Sequence, residues 1–276
     1  MRRTVEELTG IPVANILISC THTHSGPDLQ GLWGYVSESY RAQVVNLTVS
    51  AIVEAYETLQ PARLLLSSGD GVANNRRDWG YTDTELVVID ALSEADGSRI
   101  GTMVNFAAHP VTLGSSNLQV SSDYIHYLRE HMEASLGAPV VYFNGVIGDV
   151  SPKGEGSQYE RAENYGKQIA DIALSTMPSA EDLELGDKGI VVHNIDYNQE
   201  VGNPVFRLAF LVGLLDYDIE DDLSVNTRAT YVRLGADVRS ERKVYKVMLM
   251  IGDYSSRVSL SRASRSPTTA SPSRPP

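Results

Sequence analysis

The sequence predicts an α/β fold in which a mixed sheet is flanked by helices. Short apolar runs of strand length alternate with amphipathic stretches of helical length, and glycine and proline separate the two. Several apolar runs end in polar residues, as strands of open α/β sheets do where ligands bind. The chain has 276 residues, 42% of them hydrophobic, so it can bury a sizeable core.

The first predicted elements are the end of a helix, a strand and a long helix. Residues 4–10 are typical of a helix that stops at glycine. Residues 15–20 contain an apolar run and are predicted as a strand. Residues 39–59 are predicted as a helix because apolar residues recur along one stripe of its surface. That stripe consists of Tyr40, Val44, Leu47, Ala51, Ala55 and Leu59.

Strands and helices continue to alternate along the rest of the chain. Asp96 and Gly97 predict a tight turn between two neighbouring strands. Gly137 and Pro178 mark the ends of two helices. The strands are predicted at 63–67, 85–90, 99–106, 140–144, 190–196 and 229–234, and the helices at 123–136 and 158–177.

Polar residues with useful chemistry follow three of the apolar runs. His22 and His24 stand in a Thr-His-Thr-His-Ser-Gly-Pro stretch, His109 in Asn-Phe-Ala-Ala-His-Pro, and Ser151 in Gly-Asp-Val-Ser-Pro. Side chains at positions i and i+2 of a strand leave the same face, so His22 and His24 are expected to reach one place. Imidazoles suit zinc but also make ordinary hydrogen bonds, so this is a candidate metal or catalytic site.

Five motifs in this order resemble the neutral/alkaline (non-lysosomal) ceramidases and their bacterial relatives. They are the three stretches above, an Asn-Arg-Arg that begins at Asn75 and a Ser-Ser-Asp-Tyr that begins at Ser121. The resemblance covers residues 6–234. It implies a ceramidase N-terminal-domain-like fold and a zinc amidase that splits N-acyl-sphingosine, or ceramide, into fatty acid and sphingoid base.

The same resemblance implies roles for five residues. His22 and His109 are similar to zinc ligands, His24 and Arg76 to substrate-site residues, and Ser151 to the proposed catalytic serine. Chemically, His24 can carry a proton to the leaving amine, and Arg76 can hold the oxyanion or a substrate hydroxyl. Ser151 is either an acyl-accepting nucleophile or a hydrogen-bonding turn residue.

The sequence departs from the family at two further zinc ligands, a glutamate of a Pro-Gly-Glu turn and a later tyrosine. Glu241 and Tyr254 are the nearest candidates, and neither is a clear counterpart. Few residues precede the first histidine stretch, so residues 1–254 are expected to be an incomplete domain, truncated at both ends. Residues 255–276 are rich in Ser, Pro and Arg and are expected to form a disordered tail that the fold does not need.

Several other polar residues have ordinary structural roles as alternatives to a role in the site. Asp123 either orients a ligand histidine or caps a helix, and Asp149 has similar alternatives. His126 and His131 are expected to be surface or packing residues of a helix, and His193 a strand residue, rather than members of the site. The acidic residues at 216–222 fit a solvated loop better than a calcium site.

Cys20 is the only cysteine, which excludes an intrachain disulfide and a cysteine-based metal cluster. Because it follows an apolar run, a buried structural thiol is expected. The start of the chain shows no secretory signal, so the cytoplasm is the default compartment, and secretion would require a longer N-terminus.

Charge narrows the choice of partners. The formal net charge is −12, and because the tail holds four arginines and no acid, the preceding residues carry −16. Such a body lacks the basic stripe that nucleic acid requires, and it would be repelled by an anionic membrane. No apolar run is long enough to span a bilayer. A lipid amide substrate would therefore have to enter through apolar contacts. The oligomeric state cannot be inferred.

Three kinds of function remain open. The first is a zinc-dependent amide hydrolase acting on a lipid amide. The second is an inactive family member or binding remnant, which the missing glutamate favours, so we expect the chain itself to hydrolyse ceramide poorly. The third is a barrel-type metal hydrolase, in which a His-x-His also ends the first strand, although the later motifs fit it poorly.

Overall fold

The computed structural model describes residues 1–29, 36–185, 189–212, 224–234 and 245–251. The helices are α1 (Arg2–Thr9), α2 (Glu38–Glu57), α3 (Tyr124–Leu136), α4 (Gln158–Thr176) and α5 (Pro204–Leu211). The strands are β1 (Ala62–Asp70), β2 (Ala73–Asn75), β3 (Glu85–Ser93), β4 (Arg99–Phe106), β5 (Val140–Asn144), β6 (Val150–Pro152), β7 (Glu181–Asp182), β8 (Ile190–Glu200), β9 (Ser224–Leu234) and β10 (Tyr245–Ile251).

The main sheet is mixed and has the strand order β5-β4-β3-β1-β7. β4 and β5 are parallel, whereas β4–β3, β3–β1 and β1–β7 are antiparallel. β8, β9 and β10 form a separate antiparallel sheet, and β2 pairs with β6. The expected α/β fold with a mixed sheet is confirmed. A (β/α)8 barrel consists of parallel strands, so the antiparallel pairs argue against the barrel-type alternative.

The core lies between one face of the main sheet and helices α3 and α4. Alternate side chains of β3 and β4 point into it, as the two-residue period of a strand requires. The contributing strand residues are Leu86, Val88, Val104 and Phe106, and the helices add Tyr124, Ile125, Leu128, Met132, Tyr165, Ile169, Ala170 and Ala173. This core fixes the strand ends from which the site extends.

The predicted bounds of β4 and β5 and the predicted helix ends at glycine are confirmed, whereas β3 extends three residues beyond its predicted end at 90. Gly97, with φ of 73°, lies in the turn of the β3–β4 hairpin, where the Ser93 N–H donates to the Ser98 carbonyl over 2.8 Å. Helix α3 begins after Asp123, whose carboxylate accepts from the Tyr124 N–H, and ends at Gly137 in the left-handed conformation. Gly10 ends α1 in the same way.

The strand predicted at residues 15–20 is wrong. Residues 13–15 form a 3-10 turn, and residues 16–20 are not assigned to a strand. Ile16 is buried with Val5 and Val49, so the apolar run packs against α1 and α2 instead of pairing with the sheet. A short apolar run alone cannot distinguish these two environments.

The buried thiol expected at Cys20 is also wrong, because this side chain is exposed. The buried part of the preceding run is Ile16, and exposure has increased by the time the chain reaches Cys20. The position of Cys20 directly after an apolar run was therefore not enough to predict that its side chain is buried.

Other predictions lie outside the described residues. These are the tail at 255–276, the acidic residues at 216–222, and both Glu241 and Tyr254. Within the described ranges, no helix combines the length and hydropathy needed to cross a bilayer.

Candidate metal centre

The parallel strands β4 and β5 end at the same edge of the main sheet, in register from Thr102–Val140 to Phe106–Asn144. His109 follows β4 after two residues, and the glycine turn that leads to Ser151 follows β5. The strand-end position predicted for these two motifs is confirmed. It agrees with the rule that open sheets bind ligands beyond the carboxyl ends of their strands.

Three imidazoles meet at this edge. The ligand nitrogens of His22, His24 and His109 all lie within 4.8 Å of one another. The ring centroids are 4.8 Å apart for His22 and His109, 4.9 Å for His22 and His24, and 5.5 Å for His24 and His109. His109 is buried, with 4% of its surface exposed, whereas His22 is partly buried and His24 is exposed. The cluster is therefore open to solvent on the His24 side.

The spacing of the nitrogens fits a metal ion. The Nε2 atoms of His22 and His24 are 3.1 Å apart. Two nitrogens bound at about 2.0–2.1 Å to one tetrahedral zinc would lie about 3.3 Å apart. A hydrogen bond between the two rings would give the same distance. The donor set of three imidazole nitrogens is nevertheless one that zinc accepts.

His109 is held in the tautomer that a metal ligand needs. Its Nδ1 lies 2.5 Å from the Ile147 carbonyl oxygen. A carbonyl can only accept, so Nδ1 must donate, and the Nε2 of a neutral ring then keeps its lone pair. Such a bond at the second nitrogen also orients the ring and is typical of histidine ligands.

Asp123 does not take the orienting role that was one of its two interpretations. Its fully buried carboxylate accepts from the Thr112 hydroxyl (2.5 Å), the Leu113 N–H (3.2 Å) and the Tyr124 N–H (2.7 Å). It is the cap of α3, and the Ile147 carbonyl makes the contact with His109 that Asp123 was a candidate to make.

The segment that carries His22 and His24 is fastened to the loop after β4. The His24 N–H donates to the Pro110 carbonyl (3.2 Å), and the Thr23 hydroxyl donates to the Ser121 carbonyl (2.7 Å). The Ser121 N–H donates back to the Ser25 carbonyl (2.9 Å). These bonds, rather than the alternation of a strand, bring the two histidines to His109.

The backbone of His22 adopts an uncommon conformation. Its φ is 61°, in the left-handed region that residues other than glycine seldom adopt. Asn144, at the end of β5, donates to the neighbouring Thr21 carbonyl over 2.6 Å. Sequence reasoning missed Asn144, because only its position directly after an apolar run marked it.

Arg76 lies beside the glycine turn after β5. Its N–H donates to the Asp149 carbonyl over 2.7 Å, and the Asn75 side-chain amide donates to the Asp149 carboxylate over 2.7 Å. The Arg76 side chain is exposed. Asp149 therefore connects the Asn-Arg-Arg motif to the turn. This structural role explains the position of Asp149 without a role at the metal.

Ser151 is in β6, opposite Asn74 of β2. The preceding carbonyl, of Val150, accepts the His109 N–H over 3.0 Å. The backbone thus places the Ser151 strand next to the His109 loop. Catalytic roles for Ser151, His24 and Arg76 stay predictions.

The remaining histidines lie elsewhere. His126 is exposed on α3, 3.8 Å from the Glu130 carboxylate, and His131 is 2.8 Å from the Asp171 carboxylate of α4. His193 lies in β8. His126 and His131 are not part of the imidazole cluster found among the described residues.

The fold and the cluster together define a candidate metal site at the strand ends of an α/β sheet. Parts of the chain are similar in sequence to proteins of known name. No protein-family model matches the chain. Neutral ceramidase B of Dictyostelium discoideum is 26% identical over 174 residues, which are 52% of this chain and 24% of that protein. Neutral ceramidase of Pseudomonas aeruginosa is 25% identical over 226 residues, 70% of this chain and 33% of that protein.

Solved structures show the same fold. The crystal structure of neutral ceramidase from Pseudomonas aeruginosa matches with a TM-score of 0.63 and 18% identity, over 85% of this chain and 51% of that one. A ceramidase complexed with C2 matches with a TM-score of 0.59 and 17% identity, over 85% and 52%. The chain is related to the neutral ceramidases over part of its length, and it spans about a quarter to a third of the curated relatives named above.

Proposed function

We propose that this chain is a zinc-dependent amide hydrolase of the ceramidase type, which splits ceramide into a fatty acid and a sphingoid base. The observation that carries the proposal is the cluster of His22, His24 and His109, whose ligand nitrogens lie within 4.8 Å of one another. The relationship to proteins named neutral ceramidases supports the choice of substrate.

In this proposal His22 and His109 hold the zinc. Bound zinc would polarise the amide carbonyl and lower the pKa of a bound water to about 7. The bond from His109 Nδ1 to the Ile147 carbonyl keeps the ring in one tautomer and one orientation before any metal arrives. Preorganisation of this kind improves both affinity and the geometry of the reaction.

His24 is assigned the proton-carrying role. It is the exposed member of the cluster, so a substrate can reach it, and its Nε2 is 3.1 Å from that of His22. Arg76, exposed beside the turn after β5, is assigned the developing oxyanion or a substrate hydroxyl. Ser151, on the strand next to the His109 loop, is assigned the nucleophile or a hydrogen bond to the substrate.

Exposed apolar side chains on two loops near the site support a lipid substrate. Leu118 and Val120 are 96% and 79% exposed on the loop whose Ser121 is bonded to Ser25. Trp79 is 54% exposed and Tyr81 63% exposed, shortly after Arg76 in the chain. Ceramide is neutral, and the chain carries a formal net charge of −12. Apolar contacts rather than charge would therefore guide ceramide to the site.

A second candidate function is metal binding without turnover. It is favoured by one observation: the cluster found among the described residues contains histidines and no carboxylate. A catalytic zinc normally has three protein ligands and an open position. Because His24 is assigned to proton transfer, only His22 and His109 remain as ligands, and two histidines would hold zinc loosely. Slow hydrolysis is therefore expected even if the main proposal is correct.

The experiment is the release of free fatty acid from a fluorescent short-chain ceramide by the purified chain with added zinc. The proposal predicts slow turnover that a chelator abolishes and that added zinc restores. The His22→Ala/His109→Ala variant, prepared in parallel, controls for contaminating hydrolase. Zinc binding without any turnover above that of the variant would overturn the hydrolase assignment and support the second candidate.

A further inference from the structure

Two buried tyrosine hydroxyls lie directly behind the His109 loop. The Tyr124 hydroxyl is 2.8 Å from the Ala108 carbonyl oxygen, and the Tyr142 hydroxyl is 2.7 Å from the Phe106 carbonyl oxygen. The two hydroxyl oxygens are 2.8 Å apart. Neither tyrosine belongs to the set of residues assigned to the reaction.

Counting protons shows which hydrogen bond the Tyr124 hydroxyl makes. Burial raises the pKa of both tyrosines well above the ordinary value, so each hydroxyl keeps its one proton. Two protons cannot serve three contacts. The Phe106 carbonyl already accepts the Gly145 N–H over 3.0 Å, whereas among the described residues the Ala108 carbonyl accepts only from Tyr124. The Ala108 carbonyl is satisfied only if Tyr124 donates to it, and Tyr142 then donates either to the Phe106 carbonyl or to the Tyr124 hydroxyl.

The Ala108 carbonyl and the His109 N–H belong to the same peptide unit, which is planar. Tyr124 holds its oxygen, and the Val150 carbonyl accepts its N–H over 3.0 Å. Both the oxygen and the N–H of the Ala108–His109 peptide are therefore hydrogen-bonded. The His109 ring is held at Nδ1 by the Ile147 carbonyl.

We propose that Tyr124 is a positioning residue for His109: its hydroxyl fixes the Ala108–His109 peptide and thereby keeps Nε2 directed toward His22 and His24. Only the part of this proposal that concerns a metal rests on the proposed function. The Tyr124 hydroxyl contacts the Ala108 carbonyl and the Tyr142 hydroxyl rather than a histidine nitrogen of the cluster. It acts through the backbone of His109.

The proposal is tested with Tyr124→Phe and the matched variant Tyr165→Phe. Phenylalanine keeps the ring that packs against Tyr165 (centroids 4.9 Å apart) and removes only the hydroxyl. Tyr165 is equally enclosed in the core, but its hydroxyl donates to the Val72 carbonyl (2.6 Å), away from the His109 peptide. Thermal unfolding of both metal-free variants measures any general loss of stability.

The first readout needs no metal: amide hydrogen exchange of His109 in the metal-free chain, followed by NMR. Tyr124→Phe is expected to accelerate this exchange at least tenfold relative to the wild type after correction for global stability. Tyr165→Phe is expected to change it less than about twofold. Unchanged His109 exchange in Tyr124→Phe, or equal acceleration in both variants, would overturn the proposal.

The second readout is metal binding, measured by competition with a chromophoric chelator and by the visible spectrum of bound Co²⁺. Tyr124→Phe is expected to weaken binding about tenfold, the lower end of the 10–100-fold range for outer-shell partners of ligands. Its Co²⁺ spectrum should shift, while that of Tyr165→Phe should not. If the wild type binds no metal, the zinc assignment fails, and the exchange experiment alone still decides the role of Tyr124.

Discussion

The His22→Ala/His109→Ala variant is expected to lose zinc binding altogether. Each alanine removes one of the two proposed nitrogen ligands, and each lost ligand reduces both affinity and geometric constraint. His24 alone would then remain of the cluster that the structure places within 4.8 Å. Zinc is measured by elemental analysis after mild dialysis and by titration into the metal-free protein. The wild type is expected to retain substoichiometric zinc, as a weak site would.

The matched control is His126→Ala/His131→Ala, which removes the same number of imidazoles from the surface of α3. This control should bind zinc as the wild type does. Because His109 is buried, the thermal unfolding of each variant is recorded to show that the fold persists. Undiminished zinc in the His22→Ala/His109→Ala variant would remove the metal assignment.

His24→Ala and Arg76→Ala are each expected to reduce the rate of ceramide hydrolysis steeply. Loss of one preorganised oxyanion donor typically costs on the order of 10²–10³ in rate. Loss of a positioned proton carrier costs roughly 10²–10⁴. Both side chains are exposed, so their removal should leave stability almost unchanged. The rate is measured with the short-chain ceramide under saturating zinc.

Arg77→Ala is the control for Arg76→Ala. Arg77 is the neighbouring exposed arginine, and its guanidinium carbon lies 6.0 Å from the centre of the Trp79 ring, where a cation–π contact is weak. It should retain the wild-type rate. A His24→Ala variant that keeps both its zinc and its rate would show that His24 has no part in the reaction.

Central elements of the fold could be predicted because turn and capping residues mark their ends in the sequence. The strand at Arg99–Phe106 follows a glycine turn, and α3 has an aspartate before it and a glycine after it. The segment before His22 lacked such signals. Its apolar residues pack against α1 and α2. The pattern of apolar residues alone cannot distinguish this packing from a strand.

The three histidines of the cluster could be predicted from sequence motifs, but the contacts that hold them in place could not. His22 and His109 are 87 positions apart in the chain, and the resemblance of their motifs to the neutral ceramidases connected them. His109 Nδ1 donates to the Ile147 carbonyl, and the Tyr124 hydroxyl donates to the carbonyl of Ala108, the residue before His109. Backbone acceptors carry no sequence signature, so the tautomer of His109 and the orientation of its peptide required the structure.

The central claim is that histidines of this cluster bind the zinc, and X-ray absorption at the zinc edge of the loaded chain tests it most directly. The cluster predicts nitrogen or oxygen neighbours at about 2.0–2.1 Å, with the outer scattering of at least two imidazole rings. A sulfur neighbour at about 2.3 Å would assign the metal to the exposed Cys20 instead. A shell of oxygen alone, without imidazole scattering, would equally contradict a metal centre built on His22 and His109.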